Sequence, residues 1–171
     1  MKVFISYHRK DVKQKNRIVD LLKVSNISYY EVPENHGFNG KSHQEIATFI
    51  ASEIKKYDIL ICIVGSETYS RPHVDNELHF ALKGDASTRK GILAVLLENR
   101  RDSKNNIDQS TFPTKLAENM KYIVIEQYAS IADKLTSSIE QAVKNARNNK
   151  LQSNHGNKVL PLRSGKYYDM Q

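Results

Sequence analysis

The 171-residue chain has one cysteine, no tryptophan and no apolar run long enough to span a membrane. Its single thiol, Cys62, excludes a disulfide framework and lies in an apolar segment, which predicts a buried, reduced residue. The longest apolar runs, 59–64 and 92–97, have the length of strands, whereas a membrane helix needs roughly 18 apolar residues. The first residues have the pattern of a strand and lack the blocks of a signal peptide. We therefore expect a cytoplasmic protein without a membrane partner.

The sequence also lacks a glycine-rich phosphate loop. The turn after the first strand, 7–11, contains no glycine, which disfavours a Rossmann dehydrogenase or a P-loop enzyme. The third strand ends in Val64 and Gly65 instead of a carboxylate, which disfavours a response-regulator phosphoacceptor. The six histidines are scattered, and His73 and His79 are badly spaced for two ligands on one helix face, so we predict no metal site.

Positive charge is concentrated at the end of the chain. The formal net charge is +7, and residues 144–171 contain six basic residues and one acid, so the preceding 143 residues carry only +2. No nucleic-acid-binding motif accompanies this excess. We therefore expect no dedicated nucleic-acid partner, although non-specific contact with anionic polymers stays open.

Strand-like and helix-like patterns alternate along the chain. Predicted strands cover 2–7, 28–32, 58–64, 91–97 and 122–126, and predicted helices cover 11–24, 42–54, 72–83 and 130–146. Apolar strands that alternate with helices indicate a parallel sheet covered on both faces. We predict a flavodoxin-like, three-layer α/β fold with a five-stranded sheet in the order 2-1-3-4-5.

The predicted domain covers 1–148, and a polar, basic C-terminal tail covers 149–171. The segment 33–41 is predicted to be a turn-rich loop. The polar stretch 98–121 is long enough to suggest a functional or mobile insert. We also expect a short helix at about 114–119 in this stretch.

Several residues match helix start signals. Ser42 and Glu45 have the spacing of a capping box, in which each side chain bonds the backbone of the other. Pro72 suits a first-turn position, where its missing amide hydrogen has no helical partner anyway. Asp11 is expected to be a helix N-cap.

The predicted topology brings one acid to the carboxyl ends of two strands. Ligands of open parallel sheets bind beyond these ends, where the strand order reverses, here between the first and third strands. Ser6, Tyr7 and His8 follow the first strand and Ser66 follows the third. Glu77 lies just past the first turn of the next helix. This set suits a ribosyl substrate.

The order of these motifs resembles the TIR superfamily. The segments concerned are Val3-Phe4-Ile5-Ser6-Tyr7 followed by Asp11, a strand ending in Val-Gly-Ser, and Ser70-Arg71-Pro72-His73-Val74-Asp75-Asn76-Glu77-Leu78. The chain is most similar to TIR-like proteins of bacterial anti-phage defence, such as the TIR subunit of Thoeris, over roughly residues 1–145. It departs from the pattern at His73, where many NAD-cleaving TIR domains have tryptophan.

The resemblance implies a catalytic role for Glu77 and NAD as substrate, with no separate cofactor. It implies substrate contacts by Phe4, Ser6, Tyr7, His8, Ser66 and His73. The implied reaction cleaves the nicotinamide–ribose bond and yields a cyclic or conjugated ADP-ribose messenger that activates a separate anti-phage effector. It also allows for a phage-derived trigger and a homo-oligomer.

Two other functions stay open. A non-enzymatic adaptor would use the 33–41 loop and neighbouring helices for contacts between TIR domains, and His73 favours this alternative. A nucleoside deoxyribosyltransferase-like enzyme shares the fold type and also uses a glutamate. At the level of single residues, Ser6 could satisfy a backbone group, Tyr7 could pack, and His8 could be a turn residue.

Overall fold

A computed structural model describes residues 1–32, 38, 40–85, 87–100 and 107–148. Within these residues, one sheet is formed by β1 (Lys2–Ser6), β2 (Ser28–Glu31), β3 (Ile59–Val64), β4 (Gly91–Leu96) and β5 (Val124–Gln127). The helices are α1 (Val12–Val24), α2 (His43–Ile54), α3 (Pro72–Leu82), the single-turn α4 (Thr114–Ala117) and α5 (Ile131–Arg147). The predicted tail, 149–171, lies outside the described residues.

The sheet is parallel in every pairing and has the order β2-β1-β3-β4-β5, as predicted. Every residue of β3 and β4 is buried, as expected for central strands with both faces covered. The chain order reverses between β1 and β3, where Ser6 lies opposite Cys62. This flavodoxin-like sheet therefore places its switch point beside Ser6.

Alternate residues of the strands build two apolar layers. Phe4, on one face of β1, packs in a layer with α2 and α3, whereas Val3 and Ile5, on the other face, pack with α1 and α5. The period of two in a strand produces this division because successive side chains point to opposite faces. Residues of β1 are thereby assigned to one layer or the other.

The helix start signals have mixed outcomes. The capping box is confirmed, since the Glu45 N–H donates to Ser42 Oγ and the Ser42 N–H donates to Glu45 Oε2. Pro72 is the first residue of α3, as predicted. Asp11 occupies the N-cap position of α1, but the expectation that its side chain caps the helix is wrong, because that side chain makes no capping bond.

Strand β5 starts two residues later than predicted. The Tyr122 N–H donates to the Asn119 carbonyl at 2.9 Å and closes a turn, while the Tyr122 hydroxyl donates to the Lys90 carbonyl at 2.7 Å. The apolar pattern at the start of the predicted strand therefore reflects a buried turn.

The described part of the β4–β5 connection is packed against α3. The expected short helix is confirmed as α4, and Phe112 and Leu116 are buried in the same apolar layer as α3. Of the 33–41 loop, residues 33–37 and Asn39 lie outside the described residues. Phe38 contacts the ring of Phe49 at a centroid distance of 5.6 Å.

Candidate active site

A hydrogen bond joins β1 to α3 at the switch point. The Ser6 hydroxyl donates to Oε2 of Glu77 at 2.5 Å. Both residues are almost fully buried, with 1% and 4% of their surface exposed. The bond forms because Ser6 is the last residue of β1 on the face toward α3, and Glu77 lies on the side of α3 that packs on the sheet.

Burial changes the protonation of Glu77. Loss of water around the carboxylate raises the pKa of Glu77 to about 8, and the hydrogen bond from Ser6 opposes part of this rise. The side chain is therefore mainly protonated at neutral pH. A cation placed beside it would favour the charged form.

Cys62 is buried next to this pair and behaves as a core residue. It lies opposite Ser6 in the β1–β3 register and has no exposed surface. Burial, together with the nearby carboxyl of Glu77, raises the pKa of its thiol. A thiolate nucleophile is disfavoured here because a high pKa keeps the thiol protonated.

His73 ties the start of α3 to the end of β1. It lies one helical turn before Glu77 and hydrogen-bonds the backbone of Tyr7. Burial lowers the pKa of His73 to about 4, so the imidazole is neutral at pH 7. The ring of Tyr7 packs instead with the α1 layer and lies 5.3 Å from Lys15 Nζ. The backbone of Tyr7 therefore contacts the helix that carries Glu77, whereas its ring packs on the other face of the sheet.

His8 lies in the turn after β1 and is 5% exposed. Burial, assisted by the positive charge of Arg71, lowers the pKa of His8 to about 4. Its Nδ1 atom has no hydrogen-bond partner among the described residues. A neutral imidazole in this position can donate or accept one hydrogen bond.

Three charged side chains bridge the rim of the crevice. Glu67, in the turn after β3, accepts 2.5 Å bonds from Lys10, in the turn after β1, and from Arg71, the residue before α3. These contacts lower the pKa of Glu67. With Arg9 beside them, the rim carries more positive than negative charge.

Asp11 adds a second buried acid at this edge of the sheet. Its carboxylate lies against Gly65, where a Cβ atom would overlap with it, and accepts a long bond of 3.4 Å from Asn99 Nδ2. Burial raises the pKa of Asp11. A side chain at position 65 would displace the Asp11 carboxylate from this position.

The structure brings most of the predicted site residues to one edge but separates two of them. Ser66 follows β3 at the same edge as Ser6, His8, His73 and Glu77. Phe4 lies deeper, with no exposed surface, and its ring contacts those of Tyr30 and Tyr57. The observed contacts of Phe4 and of the Tyr7 ring are packing contacts, because each ring lies within an apolar layer.

Sequence analysis missed the residues that surround the acid. Glu67 and Arg71 have helical (i, i+4) spacing, which was a usable signal for an ion pair. Asp75 and Lys115 form a buried ion pair of 2.7 Å between α3 and α4, and no local pattern predicts it. Asn99 lies in the 98–121 stretch, which was predicted to be a functional or mobile insert without any of its residues being assigned to the site.

The described residues contain neither a metal-binding cluster nor a helix able to cross a membrane. Within the described residues, no group of three or more His, Cys, Asp and Glu side chains is arranged to hold a metal ion. In the same part of the chain, every helix is too short or too polar to cross a membrane.

The fold and the position of its acid define a class: flavodoxin-like α/β domains that bind ligands beyond their strand ends. The family model described as "Thoeris protein ThsB, TIR-like domain" matches residues 4–102. The chain therefore belongs to this family of TIR-like domains.

None of the curated protein sequences compared with the chain matches it. Among solved structures, the chain is similar to the TIR domains in the structure of the activated Roq1 resistosome directly recognizing the pathogen effector XopQ. The identity is 14% and the TM-score is 0.46, with 85% of this chain and 82% of that chain covered.

Proposed function

We propose that this TIR-like domain is an NAD-processing enzyme with Glu77 as its catalytic residue. The observation that carries the proposal is the Ser6–Glu77 pair, a buried carboxyl at the switch point where parallel sheets bind ligands. Membership of the Thoeris TIR-like family supports the choice of substrate. Structural glutamates on helices are ordinarily solvated, so a buried one with a raised pKa favours a functional role.

One acid is sufficient for the proposed bond cleavage. Nicotinamide leaves as a neutral base, so no general acid is needed to protonate it, unlike the leaving group of a glycosidase. The ribose acquires positive charge in the transition state, and the Glu77 carboxylate would stabilise that charge electrostatically. The cationic nicotinamide ring of NAD would itself lower the pKa of Glu77 on binding and so produce the charged form.

The surroundings of Glu77 suit transfer to an internal nucleophile. Ser6 and Glu77 are almost fully buried, and a reacting carbon held beside them would be shielded from bulk water, which would favour cyclisation or conjugation over hydrolysis. Positive charge from Lys10 and Arg71 at the rim would attract the pyrophosphate. Because Lys10 and Arg71 are joined through Glu67, we expect these ion pairs to rearrange when a substrate binds.

The product would be an ADP-ribose messenger that activates a separate effector in phage-infected cells. The test compares cells that express the wild type, Glu77→Gln or Glu140→Gln, with and without phage. Glu140 is an exposed acid on α5 and serves as the matched control. Small-molecule extracts are analysed by mass spectrometry.

We expect a new ADP-ribose-containing species with the wild type and Glu140→Gln, and none with Glu77→Gln. Protection from phage in the absence of any new species would reject the enzyme and support the adaptor. Exchange of free bases on deoxynucleosides would instead support a deoxyribosyltransferase.

A further inference from the structure

Two buried polar atoms in one turn have no hydrogen-bond partner within the part of the chain that the structure describes. They are His8 Nδ1 and Asp11 Oδ2, on residues that are 5% and 3% exposed. The turn is closed by a 2.8 Å bond from the Asp11 N–H to the His8 carbonyl. Buried polar side chains are nearly always paired, so two unpaired atoms in a single turn indicate a missing partner.

The Asp11 carboxylate has a fixed position but makes few hydrogen bonds there. Its carboxylate does not cap α1, and its contact with Asn99 Nδ2 is long, at 3.4 Å. Gly65 provides the space that the carboxylate occupies. Asn99 itself is exposed, so the cluster reaches solvent at the amide.

We propose that Asp11, His8 and Asn99 form a subsite for the vicinal diol of a ribose, namely the adenosine ribose of the dinucleotide. This inference rests on the function proposed above, which assigns the nicotinamide ribose to Ser6 and Glu77. The other ribose of NAD would then bind to the cluster of His8, Asp11 and Asn99 at the same edge of the sheet.

The chemistry of a hydroxyl group matches the two unpaired atoms. A hydroxyl both donates and accepts, so the two hydroxyls of a diol can donate to Asp11 Oδ2 and accept from a neutral His8 Nδ1–H. Burial lowers the pKa of His8 to about 4, so its ring is neutral at pH 7 and Nδ1 can carry the ring hydrogen. One of the two hydroxyls would lie toward Asn99, whose amide both donates and accepts. A phosphate is disfavoured at this position because the Asp11 carboxylate would repel it.

The test measures binding by titration calorimetry, with ADP-ribose and 2′-phospho-ADP-ribose as probes for the full-length chain. Both lack nicotinamide, so the bond that the enzyme is proposed to cleave is absent. The variants are Asp11→Asn and Asn99→Ala, with Asp20→Asn as the control, because Asp20 is an exposed acid on α1. Thermal unfolding is recorded for every variant.

We expect the wild type and Asp20→Asn to bind ADP-ribose and to reject the 2′-phosphorylated probe, whose phosphate occupies the diol. Asp11→Asn should raise the Kd for ADP-ribose about tenfold or more and reduce the discrimination between the probes. Asn99→Ala should raise the Kd by a smaller factor. Asp11→Asn should unfold at the same or a higher temperature than the wild type, because it removes an unpaired buried carboxylate.

Unchanged Kd values in Asp11→Asn and Asn99→Ala would overturn the subsite, and so would failure of the wild type to bind either probe. A lower unfolding temperature of Asp11→Asn with unchanged binding would show that Asp11 is structural. The function proposed above is judged separately, by the Glu77-dependent product in cells.

Discussion

Asp75 and Lys115 are forty positions apart and form a buried ion pair that fastens α3 to α4. Asp75 Oδ2 accepts from Lys115 Nζ at 2.7 Å, and Asp75 Oδ1 accepts from the Lys115 N–H at 2.9 Å. Each side chain is 1% exposed. Asn119 Nδ2 donates to the Lys115 carbonyl at 2.7 Å and extends the network. The helix that carries Glu77 is thus held by the connection between β4 and β5.

Breaking this pair should strongly destabilise the protein. Lys115→Met leaves a buried carboxylate without its cation, and Asp75→Asn leaves a buried ammonium, so each should lower the free energy of unfolding by about 3–5 kcal/mol. The double variant should lose less than the sum, because it leaves no uncompensated charge. Denaturant unfolding measures all three.

Lys134→Met is the control for these three variants. It removes the 3.1 Å ion pair between Lys134 and Glu126, in which Lys134 is exposed. We expect it to lower the free energy of unfolding by about 1 kcal/mol or less. Additive losses in the Asp75 and Lys115 variants would contradict the pairing.

Glu77 should make the protein less stable as the pH rises. Its folded pKa of about 8 lies above the ordinary 4.5, so between these values the folded state holds a proton that the unfolded state has lost. The contribution of Glu77 to the free energy of unfolding should therefore fall through this window, by at most about 1.4 kcal/mol per pH unit. The Glu77→Gln variant has no titrating group at this position, so it should lack this part of the pH dependence of stability.

Denaturant titrations of the wild type and Glu77→Gln from pH 5 to pH 9 check this expectation. The variant should gain stability relative to the wild type up to about pH 8 and then stay level. Glu140→Gln should follow the wild type throughout. Parallel curves for the wild type and Glu77→Gln would show that Glu77 titrates normally.

Ser6 should tune the pH dependence of the proposed reaction. The proposed reaction uses the charged form of Glu77, so kcat/KM for NAD should rise with pH and level off above about 8. Ser6→Ala removes the hydrogen bond that lowers the pKa of Glu77 and should move the midpoint to higher pH. The midpoint of the kcat/KM profile is measured from initial rates of NAD consumption across the pH range.

Ser138 offers a matched comparison, because its buried hydroxyl donates to Glu126 at 2.9 Å on another part of the sheet. Ser138→Ala should leave the midpoint unchanged. A shift of equal size in both variants would assign the effect to general loosening of the fold.

His8 and His73 should weaken the fold in acid. Both folded pKa values are lowered to about 4 from 6.5, so the unfolded state takes up these protons first as the pH falls. The contribution of these two histidines to stability should therefore be lost as the pH falls from 6.5 to 4. His8→Gln and His73→Gln should each reduce this loss, whereas His43→Gln, at an exposed position, should not. Unfolding midpoints at several acidic pH values provide the measurement.

The sequence by itself determined the parallel sheet, its strand order and the position of its acid in the chain. Apolar runs such as 59–64 specify buried strands because both faces of a central strand are covered. The Ser42–Glu45 capping box and Pro72 mark helix starts through contacts within one turn. These signals are local, and local periodicity is readable in a single sequence.

Only the tertiary structure decided which side chains surround the acid. The Ser6–Glu77 bond spans 71 positions, and the Asp75–Lys115 pair spans 40, so neither depends on local spacing. Asp11 matches a helix cap by pattern, yet packing against Gly65 turns its carboxylate toward Asn99. Burial and long-range pairing arise when the layers pack, which is why the chemistry of these groups follows from the fold.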